Sequence, residues 1–100
     1  MDAFKAIVTK RDTRHYTAEP IAAEVLTRIL QAGRMAGSSK NTQPVRLVVV
    51  QDQAAREALA SCGDFAGHLQ HCAAAVAVVL APGGSGFDAG RVAQNLMVAA

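Results

Sequence analysis

The stretch ILQAGRMAGSSKNTQPVRLVVV, residues 29–50, moves from helix through loop to strand. Its first part completes a helical repeat that begins upstream. Ala22, Val25, Leu26, Ile29, Leu30 and Gly33 recur at three- and four-residue steps, the spacing of a single helix face. Pro20 suits the first turn of that helix, and Gly37 suits its stop. Gly37 to Pro44, GSSKNTQP, is a loop by composition. Val45 to Gln51 is short and β-branched, and Val48–Val50 predicts a strand buried on both faces. A helix, a polar loop and a buried strand in that order point to a mixed α and β fold.

Outward from this segment the pattern continues without a linker or a repeat. Asp2 to Lys10 is expected to form a short helix with Phe4, Ile7 and Val8 on one side. Arg11 to Pro20 is polar and aperiodic, a connection. On the other flank, Asp52 can cap a helix from Gln53 to about Ser61. A second short helix is expected over Phe65 to His71, and a second buried strand over Ala73 to Ala81. Pro82–Gly86, PGGSG, breaks that strand. Phe87 to Ala100 is again helical, with Ala89, Val92, Ala93, Leu96, Met97 and Ala100 on one stripe. The order α-α-β-α-β-α fits α/β or α+β.

Composition narrows the functional classes. One hundred residues allow one domain. An apolar share of 51% against 18% charged excludes intrinsic disorder. Of the apolar residues 21 are alanine and there is no tryptophan, so large core side chains are scarce. The longest apolar run, Cys72 to Pro82, is too short for a membrane span, which takes about 20 residues. Two cysteines without a basic-then-apolar leader are expected to be reduced thiols of a cytoplasmic protein. The net charge of +2 is unevenly spread: residues 1–46 carry eight Lys/Arg and four Asp/Glu, whereas residues 47–100 carry two and four. An anion is therefore expected to bind in the first half. Nucleic acid is disfavoured, because stacking aromatics are nearly absent.

Two segments carry candidate chemistry. Lys10-Arg11-Asp12-Thr13-Arg14 places three cations within five residues at a helix end. Guanidinium groups grip phosphate in bidentate fashion, and lysine adds a point charge. Asp12 can orient an arginine or accept from a ring N–H. A solvated basic turn explains the same residues. Ser38-Ser39-Lys40-Asn41-Thr42-Gln43-Pro44 presents many donors and acceptors from between a helix and a strand, which suits the polar edge of a cofactor. An ordinary polar connection would have the same composition. Two weaker signals remain. Gly84-Ser85-Gly86-Phe87-Asp88-Ala89 fits the dinucleotide pattern G-x-G-x-x-G/A, although a strand terminator is the simpler explanation. Cys62, His68, His71 and Cys72 lack the regular spacing of a zinc site, so no metal is expected.

Taken together, KRDTRHY at 10–16, ILQAGRMAGSSKNTQPVRLVVV at 29–50 and FDAGRVAQNLMVAA at 87–100 resemble, in order, the N-terminal half of the nitroreductase-like FMN-dependent oxidoreductases. The resemblance implies an α+β fold, an α-β-α sandwich. It implies that Lys10, Arg11, Asp12 and Arg14 hold the phosphate and ribityl chain of FMN. Ser38, Ser39, Asn41 and Gln43 would reach the flavin from the partner subunit of a homodimer. The implied activity passes hydride from NAD(P)H through the flavin to an electron-poor acceptor such as a nitro compound or quinone. No side chain need act as a general acid or base, and Asp12 is the nearest candidate. Some relatives with a similar basic turn cleave flavin to make the cobamide base dimethylbenzimidazole. A third possibility is a non-catalytic half-domain, either a fragment or an interaction module. The family's domain is about twice this length, and Leu96–Ala100 is apolar without a C-cap glycine. Residues 1–100 are therefore expected to be the N-terminal half of a single domain, interrupted within a helix and inactive alone.

Overall fold

Asp2 starts the first helix: its carboxylate accepts from the Lys5 N–H at 2.8 Å, and α1 runs Ala3–Thr9. The structure, a computed structural model, describes residues 2–100. After an extended connection come α2 (Ala23–Arg34), a one-turn 3-10 segment (Ser39–Asn41) and β1 (Val45–Val50). There follow α3 (Gln53–Ala60), a second 3-10 segment (Gly67–His71), β2 (Ala75–Leu80) and α4 (Gly86–Ala99). The expected order of elements is the observed one.

β1 and β2 form an antiparallel pair, with Val45 opposite Leu80 and Val50 opposite Ala75. One further bond, from Ala81 N–H to the Pro44 carbonyl at 2.7 Å, extends the ladder past the loop. α4 packs on the sheet and against α2. The two helices approach closely at Gly33, where an added Cβ would lie 2.6 Å from Leu96 Cδ2. A side chain at position 33 would therefore force Leu96 to shift, and the glycine lets the two helices approach this closely. Val92 and Leu96 on α4, Cys72 before β2 and Pro44 before β1 are the buried apolar side chains among the described residues.

Four expectations need correction. Neither strand is buried on both faces: Val48 and Val79 are nearly half exposed on one face of the sheet, because α4 packs on the other and no helix makes a comparable cover there among the described residues. Helix α2 begins at Ala23, since Pro20 and Ile21 stay outside it and Ala22 is extended (φ −60°, ψ 142°). It ends at Arg34 rather than Gly37. Met35 N–H bonds to Gln31 O and Ala36 N–H to Gly33 O, tightening the last turn before Gly37 is reached. The short helix expected from Phe65 is a 3-10 segment that begins at Gly67. The stripe on α4 is narrower than its sequence implies, with Met97 exposed. No helix of the described residues is long and apolar enough to cross a membrane.

Candidate functional site

The basic turn forms where α1 stops. Lys10 leaves the helix in an extended conformation (φ −56°, ψ 139°), and the chain continues without regular structure to Ala22. Lys10 Nζ donates to Asp12 Oδ1 at 2.7 Å. Asp12 therefore pairs with the lysine and not with an arginine. Arg11 curls back, Nη1 donating to the carbonyls of Lys10 at 2.9 Å and Val8 at 3.3 Å, where a helix C-terminus favours a cation. Arg14 is exposed and makes no hydrogen bond among the described residues. Immediately beyond, the Tyr16 ring stacks on His68 with centroids 6.2 Å apart and planes 22° apart, pinning the turn to the second 3-10 segment. Burial raises the Tyr16 phenol above its ordinary value; Cys72 adds to the rise and Arg14 opposes it.

The serine–asparagine loop is built differently. Lys40, Asn41 and Gln43 all have positive φ, at 55°, 54° and 51°. Side chains disfavour this left-handed region, though asparagine tolerates it best. The loop compensates internally. Ser38 Oγ accepts from Gln43 N–H at 2.8 Å, Ser38 O accepts from Asn41 N–H at 3.0 Å, and Gln43 Nε2 donates to Asn41 Oδ1 at 3.1 Å. Arg46 Nη1 donates to the Gln43 carbonyl at 3.0 Å. Ser38, Asn41 and Gln43 line a cleft of about 690 Å³ between α2, β1 and α4, with Gln31, Arg34 and Asp88 also on its walls. Its volume lies in the range of cofactor pockets. Ser39 does not line it, and neither do Lys10, Arg11, Asp12 or Arg14. Within one chain, then, the two predicted groups are not brought into one cleft.

Asp88 belongs to this region and was not anticipated as a site residue. It is 2% exposed, and its Oδ2 accepts from the Ser39 N–H at 3.4 Å. A sequence signal exists in Ser85-x-x-Asp88 ahead of an apolar run, the capping-box pattern. Ser85 does cap α4, accepting from Phe87 N–H at 3.1 Å. The glycine-rich turn before it follows a strand in an antiparallel pair, not the parallel βαβ unit of a dinucleotide fold. Cys62 is exposed, whereas Cys72 is buried with its thiol on Leu69 O. No group of three His, Cys, Asp or Glu is placed to hold a metal among the described residues.

Over 70 residues the chain is 36% identical to an NADH dehydrogenase of Thermus thermophilus, covering 70% of this chain and 34% of that protein. It is 40% identical over 52 residues to an FMN reductase [NAD(P)H] of Bacillus subtilis, covering 52% of this chain and 21% of that protein. The chain thus spans about a third or less of the length of these curated relatives. Among solved structures, a Bacteroides thetaiotaomicron protein described as an NADH dehydrogenase/NAD(P)H nitroreductase superposes with a TM-score of 0.92 at 29% identity. That match covers 98% of this chain and 60% of the other. The profile of the nitroreductase family matches residues 7–78. The chain belongs to the nitroreductase family.

Proposed function

We propose that this chain is the N-terminal half of an FMN-dependent NAD(P)H oxidoreductase that works in the cytoplasm as a homodimer, the flavin lying between subunits. The observation that carries the proposal is the separation of two complementary groups. A cationic turn stands apart from a 690 Å³ cleft rimmed by serine, asparagine and glutamine. A two-fold axis brings one subunit's turn to the other's loop without any rearrangement within a chain. The residues fit the cofactor chemically. Lys10, Arg11 and Arg14 would take the phosphate, with Asp12 holding the Lys10 ammonium in place. Ser38, Ser39, Asn41 and Gln43 would meet the polar edge of the ring system. The relative from Bacillus subtilis is named for FMN and NAD(P)H, in accord with this assignment.

When bound, FMN supplies the two-electron chemistry that carries reducing equivalents from NAD(P)H to an electron-poor acceptor such as a nitro compound or quinone. The protein's part is to bind, orient and shield. No side chain in either group need move a proton. Turnover belongs to the completed domain, so the chain alone is expected to bind FMN weakly and reversibly.

The test is a fluorescence titration of FMN with the wild-type chain, Arg14→Ala, Asn41→Ala and an equimolar mixture of the two variants. Arg14→Ala should weaken binding by roughly 2–3 kcal/mol, the scale of lost charged hydrogen bonds. With subunit exchange established, the mixture should regain part of the wild-type affinity. Unchanged affinity in Arg14→Ala removes the phosphate role. A mixture no better than its components removes the shared site.

A further inference from the structure

The buried carboxylate of Asp88 has no cation within ion-pair distance among the described residues, and its Oδ1 is buried without a hydrogen-bond partner. A carboxylate at the third position of a helix ordinarily reaches back to the N-cap N–H. Here Oδ2 turns off the helix and takes the Ser39 N–H, 49 residues away in sequence. Among the described residues it is the one hydrogen bond from residues 38–43 to an element distant in sequence. The loop it meets holds three left-handed residues, Lys40, Asn41 and Gln43. Such conformations cost of order 1–3 kcal/mol each and persist where the surroundings over-determine them.

We propose that Asp88 is a positioning residue: through the Ser39 N–H it anchors the loop to α4 and so fixes the left-handed residues that present Asn41 and Gln43 to the cleft. The consequence for cofactor binding rests on the assignment of that loop to FMN; the anchoring itself does not. α4 suits the task, because its own start is capped by Ser85, which leaves the Asp88 carboxylate available to the loop. The positive end of the α4 dipole also faces the carboxylate.

A double-mutant cycle tests this on the chain, read by hydrogen exchange. Asp88→Ala removes the acceptor. Ser39→Pro removes the donor, and the extended backbone of Ser38 (φ −130°, ψ 158°) is the conformation a residue before proline prefers. Each single variant should speed exchange of the Asn41 and Gln43 amides severalfold, less than a short charge-assisted bond would give because the contact is 3.4 Å long. The Val92 amide in α4 should be unaffected. The double variant should be no faster than either single, since both delete the same bond. Asp88→Asn, which keeps an acceptor oxygen, should restore most of the protection.

Independent, additive effects in the double variant overturn the proposal, as do unchanged Asn41 and Gln43 amides in either folded single variant. Should Asp88→Ala fail to fold, Ser39→Pro alone decides by the same criterion. An FMN titration of the same variants separates the two readings. Faster loop exchange with unchanged FMN affinity upholds the anchor and overturns the assignment of the loop to the flavin.

Discussion

At the scale of single residues, Arg56 shows how an unremarkable side chain becomes structural. Its guanidinium is buried on α3 without a carboxylate partner. Nη1 donates to Gln70 O at 3.0 Å and to Cys72 O, Nε to Gln51 O at 3.3 Å, and Nη2 to Gln53 Oε1 at 2.9 Å. One planar fork thereby ties the start of α3 to the end of the second 3-10 segment. Arg56→Met should cost about 3 kcal/mol in urea unfolding, because buried carbonyls lose their donors. A loss below about 1 kcal/mol would show that water replaces the guanidinium. Tyr16 gives a second prediction with a defined sign. Its folded-state pKa lies above the ordinary value of about 10, chiefly through burial, so the folded chain holds the phenolic proton more tightly. That stabilisation is complete below pH about 10 and is lost as the pH rises through the folded value. Tyr16→Phe should therefore lose less stability than wild type as the pH rises past about 10, and parallel pH curves would remove the role. Neither residue's environment was legible in the sequence. An arginine among alanines and a tyrosine in a polar connection carry no local pattern that names distant carbonyls or a histidine ring.

At the scale of elements, legibility followed periodicity. The 3.6-residue repeat located α2 and α4, and the valine runs located both strands, because local patterning decides those choices. Asp2 and Asp52 both act as helix caps, Asp52 accepting from Ala55 N–H at 3.0 Å. Patterning could not show the depth of burial. Valine runs suit a central strand, yet the faces of β1 and β2 stay partly open, since burial depends on what packs beside them. Nor could it show the left-handed loop, because a lysine and a glutamine carry two of its three positive φ angles where glycine would be expected. That choice makes a prediction. Lys40 is exposed, and its side chain makes no hydrogen bond among the described residues. Lys40→Gly should relieve the left-handed penalty of roughly 1–2 kcal/mol and give back part of it as unfolded-state entropy. A net gain of about 0.5–1 kcal/mol in thermal or urea unfolding is expected, and a loss would mean that the lysine makes a contact that offsets its backbone.

At the scale of the whole molecule, the apolar surface is larger than the buried core can account for. Few apolar side chains are buried among the described residues, chiefly Cys72, Val92 and Leu96, while Phe4, Met35, Phe65 and Phe87 are each at least 70% exposed. Phe4, Ile7 and Val8 lie exposed on one short helix, and α1 buries no residue at all. The sheet adds to this, for among the described residues it is a two-stranded antiparallel pair with an unpaired edge on each side. Such a pair is marginal in water without packing on one face, and here α4 supplies that packing. Large exposed apolar patches and open edges both drive association. The chain at micromolar concentration should therefore self-associate and bind the dye ANS, the effect growing with concentration in sedimentation velocity. Charge gives little opposition, since a net +2 on 100 residues provides weak mutual repulsion. Phe4→Ser with Ile7→Ser removes the two larger side chains of the α1 patch without touching any buried residue, and should shift the equilibrium toward monomer. If the substituted chain associates as strongly as wild type, the open strand edges govern the contact. A wild-type chain that stays monomeric and does not bind ANS would show that its exposed apolar side chains are too dispersed to act as a surface.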